Sequence, residues 1–383
     1  MTPLILLSIG HFFIDLYSSA IGAFQPLLVT KHGMTLAQAG ILGGVLVFSS
    51  SLVQPVYGYL SDRVHSKLFC ALAPAVAGIF ISSLGIASGY PVLVLMALLG
   101  GAGIASFHPQ ASAWTTYGVA RNRSRSFAIF VSAGTLGMAL GPSFFSAVLG
   151  RLGLEMSWLA AIPGVVVTLM LIGVLGEPAQ THQKRHYDAA GLRSVWKPLF
   201  ILYLLVFVRS IVQITFAQFL PLYLTRERGF AYGTANHALS LYLTAGAVGG
   251  FLGGHLADRV GGRAVILFSM VGCVPFLAAF FLTEGWISLV GLALGGLMLL
   301  FTIPVNVVMA QELAPTQAGT VSAITMGFAW GLAGLIFIPL TGWVADRVTL
   351  GRALASLVGF PLVGFVLALF LPKSHATESS LPA

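Results

Sequence analysis

Apolar residues occupy this chain in long unbroken runs, separated by short clusters of glycine, proline, asparagine and charge. A helix needs roughly 20 apolar residues to cross the hydrocarbon of a bilayer, and the 383 residues accommodate twelve such helices joined by short loops. The pattern predicts spans near 3–29, 37–60, 68–87, 91–117, 125–149, 157–175, 197–224, 234–257, 263–282, 286–311, 319–343 and 351–371. The first run has no basic leader and exceeds a signal-peptide core, so it reads as a retained helix. The chain is expected to be an all-α integral membrane protein.

The polar interruptions repeat. Gly58-Tyr59-Leu60-Ser61-Asp62-Arg63-Val64 returns as Gly254-His255-Leu256-Ala257-Asp258-Arg259-Val260, each copy closing one apolar run just before the next begins. Phe24-Gln25-Pro26-Leu27-Leu28 matches Phe219-Leu220-Pro221-Leu222-Tyr223, and His108-Pro109 matches Ile303-Pro304, at nearly the same offset. The longest polar interval lies between the sixth and seventh spans. The expected organisation is a six-helix bundle at 1–176, a cytoplasmic central loop at 177–196, a pseudo-symmetric six-helix bundle at 197–372 and a cytoplasmic tail at 373–383. Internal repeats of this kind place a substrate site between the halves, near the bilayer midplane.

Composition agrees, because 57% hydrophobic and 8% charged residues leave too little polar surface for a water-exposed globule. With the N-terminus inside, twelve of the 19 basic residues fall in inner loops or the tail, six in outer loops, and Arg209 within a span. That asymmetry follows the positive-inside rule and puts both termini in the cytoplasm. The net charge of +8 is therefore a topology signal, and no nucleic-acid partner is expected. Cys70 and Cys273 lie in apolar spans with no CxxC spacing, which reads as packing. No nucleophile elbow, phosphate loop or nucleotide fingerprint is present, and Gly100-Gly101-Ala102-Gly103 follows no strand. The sequence assigns no catalytic residue, no cofactor and no metal ligand. An enzyme would need His11, Asp15 and His108 to form a catalytic or metal cluster.

Charges deep in an apolar span are costly unless they face a wet cavity or a partner. Asp15 and Arg209 qualify. His11 lies one turn before Asp15 on the same helix face, so the two can share a proton. A carboxylate that alternates between dry and wet surroundings loads and releases protons, which makes Asp15 with His11 the candidate coupling group. The alternative is a fixed buried hydrogen bond. His108 precedes Pro109, which breaks the helix locally, and is a second proton station or a packing donor. Arg209 is a permanent cation requiring a carboxylate or an anionic substrate, and Gln213 follows one turn later. Gln25, Gln110 and Asn306 add hydrogen-bonding capacity for substrate. Glycines at 134, 137 and 141 in the fifth span, and at 327, 331 and 334 in the eleventh, suit close helix packing.

The repeated turns are gate candidates: Gly58 and Gly254 permit close approach, while Asp62 and Asp258 can accept from free backbone N–H groups beside Arg63 and Arg259. A third copy, Gly342-Trp343-Val344-Ala345-Asp346-Arg347, falls on the outer side, where a packing and topology role is expected.

With these residues in view, the chain resembles the major facilitator superfamily over nearly its whole length. Within it, the chain is similar to the fosmidomycin-resistance family of efflux proteins. The matching residues are His11, Asp15 and Pro26-Leu27-Leu28, then Phe107-His108-Pro109 with Ala111-Ser112, Arg209-Ser210, Phe219 to Tyr223, Glu312, Pro315, and Gly342 with Asp346. The resemblance implies the major facilitator fold in a bacterial inner membrane. It places the first turn beside Gln317 to Val321 and, by pseudo-symmetry, Asp258 near Arg125-Ser126-Phe127. It also puts the first and seventh helices on a central cavity, where Asp15 and Arg209 compete for one space or form a permanent salt bridge. Gly141-Pro142 lacks the full glycine set of the superfamily's antiporter motif. The leading reading is a monomeric, proton-coupled exporter of a small anionic or zwitterionic compound; the alternative is proton-coupled uptake of a small organic anion.

Overall fold

Among the described residues, twelve helices are long and apolar enough to cross a membrane, and each falls where the hydrophobic pattern predicts one. We label them α1 (Pro3–His32), α2 (Leu36–Ser61), α3 (Leu68–Ile86), α4 (Tyr90–Thr115), α5 (Arg125–Leu152), α6 (Leu154–Val174), α7 (Trp196–Arg226), α8 (Tyr232–Val260), α9 (Gly262–Leu282), α10 (Gly285–Leu313), α11 (Pro315–Ala345) and α12 (Leu350–Ala368). The computed structural model describes residues 2–64, 66–116, 123–176 and 189–372, with the side chains of Thr2, Asp62, Thr116, Arg123, Ser124 and residues 189–191 outside that description. Most of the expected central loop and all of the expected tail lie outside it as well. Within the loop interval, Ala189–Ser194 is a short helix.

Local chemistry sets the helix ends. The first helix runs three residues past the expected boundary and stops at Gly33, whose φ of 59° is left-handed and closes the last turn. Thr35 then opens α2 with a capping box: its hydroxyl accepts from the Gln38 N–H at 3.1 Å, and the Gln38 side chain accepts from the Thr35 N–H at 3.0 Å.

The described residues group into two compact units. One holds α1 to α6 with Thr215–Leu241 and Gly334–Ala353; the other holds the described parts of Lys184–Ile214, Tyr242–Ala333 and Leu354–Ala383. In the first unit, α1 is clamped by its neighbours. Tyr17 donates its hydroxyl to the Ala160 carbonyl at 2.9 Å and accepts from the Gly164 N–H at 3.0 Å. On the other side, the glycine face of α5 lies on α1, since a Cβ at Gly137 would overlap the Phe12 backbone and one at Gly141 would overlap that of Leu16. Two of the α11 glycines differ from each other. Gly334 packs on Val47, whereas nothing lies within 4 Å of a Cβ at Gly327.

The sequence repeat has structural counterparts inside each unit. Gly58 faces Pro109 at 3.6 Å, and Gly254 faces Pro304 at 3.4 Å, measured from the Cβ each would carry. Lys67 donates to the carbonyls of Ile172 and Leu175 at 2.9 and 2.8 Å, satisfying the end of α6. Its repeat partner Arg263 donates to the Leu369 carbonyl at 2.6 Å, beside the end of α12. Cations at helix C-termini satisfy orphan carbonyls and complement the dipole.

Candidate functional site: two buried polar centres

The first centre is built on α1. Residues 11 and 15 share one helix face, which brings His11 Nε2 to 3.2 Å from Asp15 Oδ2. From α4, His108 Nε2 reaches 3.6 Å from the other carboxylate oxygen, Oδ1. From α5, the Phe130 carbonyl lies 2.8 Å from His11 Nδ1, and the Phe130 ring stacks on the imidazole at 4.1 Å. The two imidazoles meet edge to face at 5.1 Å. Gly134 makes the arrangement fit, because a Cβ there would overlap both His11 Nε2 and Asp15 Oδ2.

This geometry fixes a proton. A carbonyl oxygen only accepts, so His11 Nδ1 carries the hydrogen it shares with Phe130. Nε2 then faces Asp15 Oδ2, and two lone-pair atoms at that distance repel unless a proton lies between them. The pair is either imidazolium with carboxylate or imidazole with carboxylic acid, and in both forms it holds one proton. All three ligand-type atoms of His11, Asp15 and His108 lie within 4.8 Å of one another. The structure thus joins His108 to a pair that sequence spacing had linked only on one helix.

The second centre is built on α7, in the other unit. Arg209 is 1% exposed. Its guanidinium donates to Gln213 Oε1, one turn along, and to Ser210 Oγ at 3.3 Å, while its Nε has no hydrogen-bond partner. Among the described residues of its unit, no carboxylate lies within ion-pair distance. Asn306, on α10, is wholly buried, and neither its amide nitrogen nor its oxygen has a partner among the described residues. Unsatisfied buried polar atoms are uncommon and mark places where a water or ligand completes the set.

Two other amides are committed elsewhere. Gln110 accepts from the Cys70 N–H at 3.0 Å and donates to the Ser66 carbonyl at 2.9 Å, fastening the start of α3. Gln25 donates to the Ala39 carbonyl at 3.1 Å, joining α1 to α2. Both tie backbone, while the buried Gln25 Oε1 has no hydrogen-bond partner among the described residues.

Of the gate residues, Gly58 and Gly254 pack as described, Arg63 stacks on the Tyr59 ring at 4.7 Å, and Asp258 and Arg259 are exposed. The Asp62 side chain lies outside the described residues. The third copy has a definite role that sequence reading left without a mechanism. Asp346 accepts from the N–H groups of Leu36 and Ala37, each at 2.8 Å, and so caps α2 from the end of α11. Gly342 permits the approach, since a Cβ there would overlap Leu36, and Arg347 stacks on Trp343 at 3.5 Å. Nearby, Glu227 accepts from the N–H groups of Leu350 and Gly351 at 2.6 and 2.9 Å, capping α12. The signal for Asp346 was in the sequence: the capping box at Thr35 leaves the next two N–H groups unpaired.

Comparison with known proteins agrees with this architecture. The chain matches the Major Facilitator Superfamily over residues 7–338. It is 28% identical to the fosmidomycin resistance protein of Escherichia coli (strain K12), covering 96% of this chain and 92% of that one. It is 29% identical to the uncharacterized MFS-type transporter YfnC of Bacillus subtilis (strain 168), covering 97% and 93%. Among solved structures, it superposes on a bacterial homologue of the human lysosomal transporter Spinster with a TM-score of 0.82 at 16% identity, over 97% of this chain and 96% of that one. The chain belongs to the major facilitator superfamily, a multi-pass membrane protein that is a secondary transporter and not an enzyme.

Proposed function

We propose that this transporter exchanges protons for a small anionic or zwitterionic compound and exports it across a bacterial inner membrane, as a monomer with both termini in the cytoplasm. The observation that carries the reading is the buried His11–Asp15 pair, 3.2 Å apart, with His108 3.6 Å from the other carboxylate oxygen. A transporter working by alternating access needs one group that gains and loses a proton as its exposure changes.

Arg209, Gln213 and Asn306 supply the other half of the scheme, a substrate-binding set with an uncompensated cation and two unused amide atoms. Gln25 and Gln110, which tie backbone, stay candidates for substrate contact, Gln25 through its unpartnered Oε1. The repeat supports two bundles, at 1–176 and 197–372, with Asp62 and Asp258 as inner gates. The compound named by the E. coli relative, fosmidomycin, is the first to test.

The test is counterflow in proteoliposomes with fosmidomycin and a panel of small organic anions, read beside internal pH. Substrate movement that alkalinises or acidifies the lumen in the opposite sense to substrate flow supports exchange. Movement of both in one direction selects symport, the second reading, which the same residues serve. Transport of neutral compounds alone overturns the anion assignment.

A further inference from the structure

We propose that His11, Asp15 and His108 also form a binding site for a divalent first-row transition ion such as Zn²⁺, which displaces the proton held there and blocks transport. The binding stands on geometry; only the block rests on the coupling role proposed above.

The donor set is two imidazole nitrogens and one carboxylate, the ligand types that Zn²⁺ and Co²⁺ take in sites with an open position. Bonds of about 2.0–2.1 Å to a tetrahedral ion put neighbouring donors roughly 3.3 Å apart. His11 Nε2 lies 3.2 Å from Asp15 Oδ2 and His108 Nε2 lies 3.6 Å from Oδ1, so each histidine already meets one oxygen of the carboxylate at about that donor separation, and a carboxylate chelating through both oxygens would face both rings. The third pair lies within 4.8 Å, and an ion would draw it closer by a rotamer change of His108.

Orientation adds a second, independent observation. Metal-binding histidines almost always give their other ring N–H to a carbonyl or carboxylate, which turns the bare nitrogen toward the ion. His11 does this with the Phe130 carbonyl at 2.8 Å. The site is reachable, because the His108 side chain retains 23% of its exposure. Three protein donors leave a fourth position for water or an anion.

Binding has a defined proton balance. The ion takes the Nε2 lone pairs of both histidines and a carboxylate oxygen, and the proton between His11 and Asp15 leaves to solvent, one for each ion bound.

The test uses the full chain, untagged and in detergent, titrated with Co²⁺ by visible spectroscopy and with Zn²⁺ by calorimetry in two buffers of different ionisation enthalpy. Wild type should bind one Co²⁺ more than His108→Ala or Asp15→Asn, with an intense visible band that both variants lose. Size-exclusion profiles identical to wild type show that the variants fold. One proton should be released per Zn²⁺, and Zn²⁺ should stop pH-gradient-driven transport until a chelator restores it. Equal Co²⁺ binding by wild type and both variants overturns the site. Binding without inhibition overturns the competition. Failure here is separable from failure of the coupling role: if Asp15→Asn abolishes gradient-driven transport in chelator while no site-specific Co²⁺ binds, only the metal proposal falls. If Co²⁺ binds as expected while Asp15→Asn still couples to the gradient, only the coupling role falls.

Discussion

In one unit Asp15 faces two histidines, at 3.2 and 3.6 Å; in the other Arg209 is held by the neutral side chains of Gln213 and Ser210. Both charges are buried, yet only the first carries its own counter-charge. A buried cation without a carboxylate is costly to keep, and a protein retains one where something else supplies the anion. The difference is what motivates the proposed roles, proton coupling at the α1 centre and substrate binding at the α7 centre.

The largest effect should follow removal of the uncompensated charge. Arg209→Gln should weaken substrate exchange by about 2–5 kcal/mol, read as loss of counterflow at ordinary concentrations. It should leave thermal stability unchanged or raised, since no ion pair is broken. A fall in melting temperature together with normal exchange would place Arg209 among structural residues.

Next in size is Gly134→Ala. The added methyl overlaps both His11 Nε2 and Asp15 Oδ2, so overpacking should cost about 1–3 kcal/mol. The melting temperature should drop and coupling should fail with it. Gly327→Ala, with nothing within 4 Å of the new Cβ, is the matched control and should be nearly silent. Equal effects would show that these glycines report helix flexibility rather than contact.

The smallest effect concerns the outer cap. Asp346→Asn keeps an acceptor but loses the charge facing the α2 N-terminus, which should cost about 0.5–1 kcal/mol. A cysteine placed at Ala37 should then react faster with a membrane-impermeant reagent added outside. Unchanged labelling would mean that Asp346 does not hold α2 in place.

Much of this architecture was legible in the chain. The spans came from apolar run length alone, and the observed helices differ at their ends for local reasons: α1 continues through Thr30-Lys31-His32 to the left-handed Gly33, and α6 begins with a 3₁₀ turn at Leu154–Ala161. The His11–Asp15 pair was legible because helical spacing puts the residues on one face. His108 as the second partner of Asp15 was not, since the packing of α4 against α1 is tertiary. Gln25 and Gln110 show a further limit. An amide in an apolar span looks available for substrate, but whether a nearby backbone group already uses it depends on helix ends that sequence does not place in space. The three Gly-x-x-x-Asp-Arg turns read alike in sequence; only the structure shows the third one engaged as a cap on α2, with its glycine and arginine each in contact.

The central claim, that the α1 centre holds the coupled proton, is tested most directly by comparing two modes of transport in Asp15→Asn. Substrate counterflow without a gradient and uphill transport driven by a pH gradient are measured in the same proteoliposomes. Counterflow should survive and gradient-driven accumulation should disappear. Accumulation at the wild-type level in Asp15→Asn would contradict the claim.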